Sequence, residues 1–119
     1  GNKIPFVSEN LKMKKAFQII SSKKLGTLIV QNNKKNTTGI ITDGQIRRFN
    51  VTDNNLQNLT VKKVMTSSPI SIDKDMLAEK ALSIMNTKKI TSLCVHNKRN
   101  KKKTIGILHI HNILRSNIY

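Results

Sequence analysis

Aromatic residues are scarce in this chain: three phenylalanines and one tyrosine, with no tryptophan, among 119 residues. Surfaces that stack on exposed bases interleave aromatic with basic side chains, and no such pattern is present. Cysteine is scarcer still. Cys94 alone excludes an internal disulfide. It lies in the apolar run Leu93-Cys94-Val95, which reads as a buried core thiol rather than a nucleophile and fits a reducing cytoplasm. No apolar run approaches a membrane span and no signal peptide opens the sequence, so a cytoplasmic protein without a membrane partner is expected. Acidic residues number six against 22 Lys and Arg, giving a net charge of +16.

Such a charge usually points to nucleic acid or an anionic surface. Here lysine carries almost all of it, alongside abundant asparagine and isoleucine, a mix that an AT-rich genome writes on any surface. The densest cluster, Lys98-Arg99-Asn100-Lys101-Lys102-Lys103, falls between two predicted strands and reads as a solvated hairpin loop. Nucleic acid is therefore not the expected partner. A chain of this length suits one domain with a real hydrophobic core and needs no metal to stand up.

What is abundant is self-similarity. Ala16 to Val30 and Ala81 to Val95 both run from an alanine through an apolar helix face to a lysine pair and into a short apolar strand. Each copy continues through a polar loop to a glycine-led strand, Gly39-Ile40-Ile41-Thr42 and Gly106-Ile107-Leu108-His109. Each then enters a short helix ending in arginine, Gln45-Ile46-Arg47-Arg48 and Asn112-Ile113-Leu114-Arg115. Pro5 answers Pro69. Leu77, Ala81, Leu82, Ile84 and Met85 share one helix face after Asp75 as N-cap, and Leu11, Ala16, Ile19 and Ile20 do so after Asn10. Thr27 to Val30 and Leu93 to Val95 read as buried strands. Met65, Met76 and Met85 read as core filler. The expected fold class is α/β (α+β): two β-α-β-β-α repeats, residues 1–59 and 60–119, paired about a pseudo-twofold axis. The second copy opens with Thr60-Val61-Lys62-Lys63-Val64-Met65-Thr66, whereas only Gly1 to Ile4 precede Pro5. The first copy's opening segment is missing, so a fragment with its natural N-terminus upstream is expected.

The Val-x-x-Val-Met-Thr opening, proline, amphipathic helix and glycine-led strand, repeated in tandem, resemble CBS domains. Gly39 to Arg48, with Thr42-Asp43-Gly44-Gln45-Ile46-Arg47-Arg48, resembles the Thr-Asp-Gly-Asp-Leu-Arg-Arg signature of bacterial arabinose 5-phosphate isomerases. Lys89-Ile90-Thr91-Ser92-Leu93 and His109-Ile110-His111-Asn112-Ile113-Leu114-Arg115 resemble that family's two other marks. The resemblance implies a sugar isomerase (SIS) domain ahead of the repeats. That domain would hold the catalytic residues and interconvert ribulose 5-phosphate and arabinose 5-phosphate on the way to Kdo. No catalytic residue is then expected in this chain. Many CBS domains place a ribose-binding aspartate where Gln45 and Asn112 stand here, and an amide lacks the carboxylate's charge.

Thr42-Asp43-Gly44-Gln45 sits where strand becomes helix. It reads both as an anion-binding turn and as a capping box of Thr42 with Gln45. His109 and His111 lack the cysteine and carboxylate company of a metal site; neither metal nor cofactor is expected. His109 instead takes Thr42's place in the second copy. Thr91 and Ser92 open the second copy's inner strand as Gly26 and Thr27 do the first's, and their hydroxyls either line a cleft or cap a strand edge. The expected ligand site comprises Thr42, Asp43, Gly44, Gln45, Arg48, Lys89, Thr91, Ser92, His109, His111 and Asn112. The ligand would be a nucleotide or sugar phosphate, with CMP-Kdo, a late product suited to feedback, as one candidate. Self-association is expected through Ile46, Phe49, Ile113, Leu114 and Ile118. A purely structural dimerisation module and a nucleic-acid-binding protein are the alternatives.

Overall fold

A computed structural model describes residues 4–23, 26–48 and 54–110. The chain divides into two compact units with the boundary between Pro69 and Ile70. Each is a mixed αβ layer.

In the first unit, β1 (Phe6–Ser8) lies parallel to β2 (Thr27–Gln31), which pairs antiparallel with β3 (Thr37–Thr42), which pairs antiparallel with β4 (Thr66–Ser67). The helices are α1 (Met13–Lys23), α2 (Asp43–Arg48), α3 (Asn54–Asn58) and α4 (Val61–Val64). The run Leu28-Ile29-Val30 is buried throughout, as a strand covered on both faces must be. Leu28, Val30 and Ile41 join Val7, Met13, Ala16, Ile20 and Val61 in one core cluster. Ile29 and Ile40 are also buried, paired across the sheet and outside that cluster. The alternation of side chains along a strand accounts for the split.

The second unit repeats the plan. β5 (Ser71–Asp73) is parallel to β6 (Ser92–Asn97), which is antiparallel to β7 (Asn100–His109), and α5 (Ala78–Lys88) supplies Ala81 and Met85 to a core with Ile72 and Leu93. Equivalences follow from register. Thr27↔Thr42, Leu28↔Ile41 and Val30↔Gly39 in the first sheet answer Ser92↔His109, Leu93↔Leu108 and Val95↔Gly106 in the second. The turn bonds repeat too: Asp43 N–H to Gly26 O at 2.7 Å, and Ile110 N–H to Thr91 O at 2.8 Å.

Several expectations need correction. Ile29 N–H reaches Pro5 O and Cys94 N–H reaches Ile70 O, both at 3.0 Å, so Ile70 rather than Pro69 is the counterpart of Pro5. Asn10 does not cap α1. That helix begins later, and its Met13 N–H is taken by Leu59 O at 2.8 Å. Asp75 does not cap α5 either; Leu77 stands at the cap without a side-chain bond and is 68% exposed, off the apolar face. The basic cluster is not a loop throughout. Asn97 pairs with Asn100, only Lys98 and Arg99 turn, and Lys101 to Lys103 lie in β7. Ile46 packs against the first core rather than remaining as a spare apolar stripe. Phe49, Ile113, Leu114 and Ile118 lie outside the described residues.

The sequence repeat and the spatial unit are out of phase. The segment opening the second sequence copy folds onto the first unit: Val61 enters its core, Val61 N–H bonds Leu11 O at 2.7 Å, and Thr66 pairs with Ile40. Apolar side chains at Val61, Val64 and Met65 drive this, since each packs on the first cluster.

Candidate functional site

Site residues fall into two groups, one on each unit. In the first, Thr42 ends β3 and caps α2. Thr42 N–H donates to Gln45 Oε1 at 2.9 Å, and Gln45 N–H donates to Thr42 Oγ1 at 3.3 Å. This reciprocal pair is the capping box that the Thr-x-x-Gln spacing predicts. The far end of the same amide, Gln45 Nε2, donates to Thr66 Oγ1 at 2.8 Å. Gln45 thus ties helix, β3 and β4 together.

Asp43 forms an ion pair with Arg47 at 2.7 Å, one helical turn away and largely exposed. Solvent screening leaves such a pair little net worth. Gly44 is exposed, with the Arg48 guanidinium close to where a Cβ would stand. Thr42, Gly44 and Arg48 therefore lie near one another at the β3–α2 junction. Thr27, opposite Thr42, is buried, and its Oγ1 has no hydrogen-bond partner. A buried hydroxyl without a partner is uncommon enough to require a reason. Sequence reasoning noted Thr27 only as a strand opener; an isolated threonine in an apolar run gives no sign of its missing partner.

In the second unit, Ser92 Oγ lies 2.9 Å from His109 Nδ1. Thr91 is exposed just ahead of Ser92, its carbonyl engaged by Ile110. Lys89 is exposed and left-handed, φ 57° and ψ 44°, and ends α5 as its own N–H and that of Ile90 turn back to Met85 O. Its position is a helix-terminating one, with the charged side chain in solvent. His111 and Asn112 lie outside the described residues.

One cluster escaped sequence reasoning. His96 is buried, Ser71 Oγ contacts its Nδ1, and Asp73 is its register partner on β5. Asp73 Oδ1 is buried without a partner, while Oδ2 accepts Asp75 N–H at 3.1 Å. Two residues on alternate positions of one strand and one on its neighbour carry no spacing signal in the sequence. Among the described residues no group of three or more His, Cys, Asp or Glu is placed to hold a metal. No helix of the described residues is long and apolar enough to cross a membrane.

The model of the CBS domain matches residues 2–51 and 61–118. The chain belongs to the CBS domain family. Uncharacterized protein RP505 of Rickettsia prowazekii (strain Madrid E) is 35% identical over 96% of this CBS pair and 34% of its own length. Arabinose 5-phosphate isomerase KdsD of Salmonella typhi is 30% identical over 99% of the pair and 35% of its own length. The chain thus spans about a third of the length of the curated relatives it matches. Among solved structures, the CBS-domain protein ATU1752 of Agrobacterium tumefaciens superposes with a TM-score of 0.85 at 16% identity, covering 99% of this chain and 87% of that one. CBSX2 in complex with AMP superposes with a TM-score of 0.79 at 24% identity, covering 95% and 86%. These structures share the CBS fold, with its two sheets and flanking helices.

Proposed function

We propose that this CBS pair is the regulatory and assembly portion of an arabinose 5-phosphate isomerase and that it senses a phosphorylated nucleoside or sugar nucleotide. The observation that carries the reading is the similarity to KdsD, 30% identity over 99% of this chain. Since that match spans 35% of KdsD, a parent of comparable size has room for an SIS domain bearing the catalytic residues. The reaction, an aldose–ketose interconversion of a sugar phosphate in a cytoplasmic Kdo pathway, belongs to that parent. The AMP of CBSX2 makes adenine nucleotides the first ligand class to test, and CMP-Kdo follows as a late pathway product.

Each unit offers contacts at the terminal rung of its own sheet: Thr27 and Thr42 with Arg48 as the cation in the first, Ser92 and His109 with Lys89 as the cation in the second. Uncharged hydroxyls recognise sugar hydroxyls, and a charge-assisted bond to phosphate adds about 1.5–3 kcal/mol. Micromolar affinity then requires some burial of the base as well. A ligand that binds only the folded state raises the melting temperature. The test is a thermal-shift series with AMP, ADP, ATP, CMP-Kdo and inorganic phosphate, followed by calorimetry on any that shifts it. No shift at millimolar concentration with any of them removes the sensing role. Failure of the full-length parent to convert ribulose 5-phosphate removes the isomerase assignment independently.

One observation favours a second reading, a structural module that only assembles the parent. Gln45, which stands where many CBS domains carry a ribose-binding aspartate, spends both ends of its amide on Thr42 and Thr66. On that reading the thermal-shift series is flat and deleting the pair changes the parent's oligomer size.

A further inference from the structure

The hairpin ends of the two sheets share a backbone frame and differ in chemistry. Glu9 N–H bonds Gln31 O at 3.2 Å, and Lys74 N–H bonds His96 O at 2.9 Å. Gln31 and His96 are register equivalents, paired with Thr37 and Thr104. Just beyond them Asn32 Oδ1 accepts Lys34 N–H at 3.0 Å, and Asn97 Oδ1 accepts Arg99 N–H at 3.3 Å. Glu9 thus stands where the second unit has Lys74, and Asn33 where it has Lys98. The frame folds with lysine at both places, so it requires neither the carboxylate nor the amide.

In the first unit this end holds a cleft of about 440 Å³, lined by Glu9, Asn10, Asn32, Asn33, Lys34 and Asn36. That volume falls within the roughly 300–1,000 Å³ of small-molecule sites. None of the lining side chains is aromatic or aliphatic, so a stacked base or an apolar ligand has nothing to rest on. Asn32 Oδ1 also accepts Asn36 N–H at 3.0 Å, and Lys35, at φ 63°, turns the chain back. The wall is therefore built before a ligand arrives, which lowers the cost of binding. Its polar groups are unspent. Lys62 N–H bonds Glu9 O at 3.0 Å, yet among the described residues the half-buried Glu9 has no ion pair, in a chain where lysine abounds. The side-chain amides of Asn33 and Asn36 make no hydrogen bond among the described residues either.

We propose that this cleft binds the hydroxyl face of a small sugar, free or phosphorylated. Each sugar hydroxyl both donates and accepts, as a primary amide does, and a carboxylate accepts from two neighbouring hydroxyls at once. Glu9 takes a vicinal pair of hydroxyls, and Asn33 and Asn36 take those further along the carbon chain. An inorganic phosphate would face the Glu9 carboxylate, so the hydroxyls and not the anion are what the cleft selects. The cleft lies at the opposite end of β2 and β3 from Thr27 and Thr42, and it does not depend on the sensing role proposed for the terminal rungs.

The test is an amide-shift titration of the isotope-labelled chain with D-arabinose, arabinose 5-phosphate and inorganic phosphate, each to high millimolar concentration. Saturable shifts at Glu9, Asn10 and residues 32–36 are expected with a sugar, and none there with inorganic phosphate. Binding of both sugars supports a free sugar as the source; binding of the 5-phosphate alone supports a phosphorylated one. Glu9→Gln keeps the shape of the cleft and should weaken the sugar by roughly fivefold or more, as should Asn33→Ala. Lys74→Ala, at the equivalent place in the second unit, should leave affinity unchanged. Four outcomes overturn the proposal: no saturable shift in the cleft with either sugar, sugar shifts confined to the terminal rungs, inorganic phosphate shifting the cleft as strongly as a sugar, or equal affinity of Glu9→Gln and the unaltered chain. Should Asn33→Ala disturb the turn, Glu9→Gln decides alone.

Discussion

Ser92 and His109 share the terminal rung of β6 and β7, with Ser92 Oγ 2.9 Å from His109 Nδ1. The same rung in the first unit holds Thr27 and Thr42. One ladder therefore presents a hydroxyl–imidazole pair in one unit and two hydroxyls in the other. The apolar rungs behind them, Leu28↔Ile41 and Leu93↔Leu108, are matched in kind because they pack into cores. Interior packing tolerates little change of volume, whereas the strand end at Thr42, Ser92 and His109 is only half-buried and open to new chemistry.

His109→Ala is expected to weaken a nucleotide that registers in the thermal-shift series by about tenfold, close to 1.4 kcal/mol. Arg47→Ala, which removes only an exposed pair with Asp43, should leave affinity unchanged and stability within about 0.5 kcal/mol. Calorimetry on the two variants checks both. Equal affinity of His109→Ala and the unaltered chain would place the ligand away from this rung.

Gln45→Ala removes the capping box and the bridge to Thr66 together. A lost cap costs about 1 kcal/mol, and the lost bridge adds roughly 0.5–1 kcal/mol. Gln45→Glu keeps an acceptor for the Thr42 N–H and places a negative charge in the first turn of α2, where the helix dipole favours it. Denaturant titration should therefore rank Gln45→Glu well above Gln45→Ala. The opposite order would show that the Thr66 contact, not the cap, holds this junction.

The repeat, the strands and the capping box were legible because each has a local signature: apolar runs, a lysine pair at a helix end, and Thr-x-x-Gln at a strand–helix junction. The equivalence of His109 with Thr42 was legible as well, since glycine-led strands align themselves. Helix starts were not. Asn10 does not cap α1, because that helix is held at its start by Leu59 and the 58–62 segment, and tertiary bonds override a local cap preference; Asp75 stands two residues ahead of Leu77, the cap position of α5. The partition between units was also hidden, because Val61 and Met65 belong to one copy by sequence and to the other unit by packing. The Ser71–His96 contact and the orphan hydroxyl of Thr27 depend on strand register, which no linear spacing encodes.

Gly39→Ala and Gly106→Ala form a matched pair. At Gly39 the new methyl meets Met65 Sδ, Cγ and Cβ at 2.2, 2.7 and 3.1 Å, so the whole side chain must repack. Overpacking of this kind costs about 1–3 kcal/mol. At Gly106 the methyl meets ordinary contact only among the described residues, and the loss of glycine's backbone entropy makes the change neutral or slightly stabilising. Adding Met65→Ala to Gly39→Ala should recover part of the loss, a coupling a double-mutant cycle reads directly. Additive effects would mean that Met65 does not confine Gly39.

Cys94 is a fully buried thiol in the middle of β6. Burial raises its pKa, and a side-chain hydrogen bond with Thr104 opposes that only in part. The thiolate is thus disfavoured in the folded chain and allowed in the unfolded one. Its folded pKa lies above its unfolded value, so the stability it contributes is fully present below the unfolded pKa of about 8.5 and is lost as pH rises beyond that. The register equivalent of Cys94 in the first unit is Ile29, which shows that an aliphatic side chain suits this place in the sheet. Cys94→Val removes the titration while keeping the branched apolar volume. Stability measured by urea unfolding should therefore fall more steeply between about pH 8.5 and 10 in the unaltered chain than in Cys94→Val. Lysine titration is common to both and cancels in the difference. A thiol reagent should label Cys94 only as fast as the chain opens, so labelling should accelerate with urea along the unfolding curve. Rapid labelling in native buffer, or parallel pH profiles for the two proteins, would show that the thiol reaches solvent without unfolding.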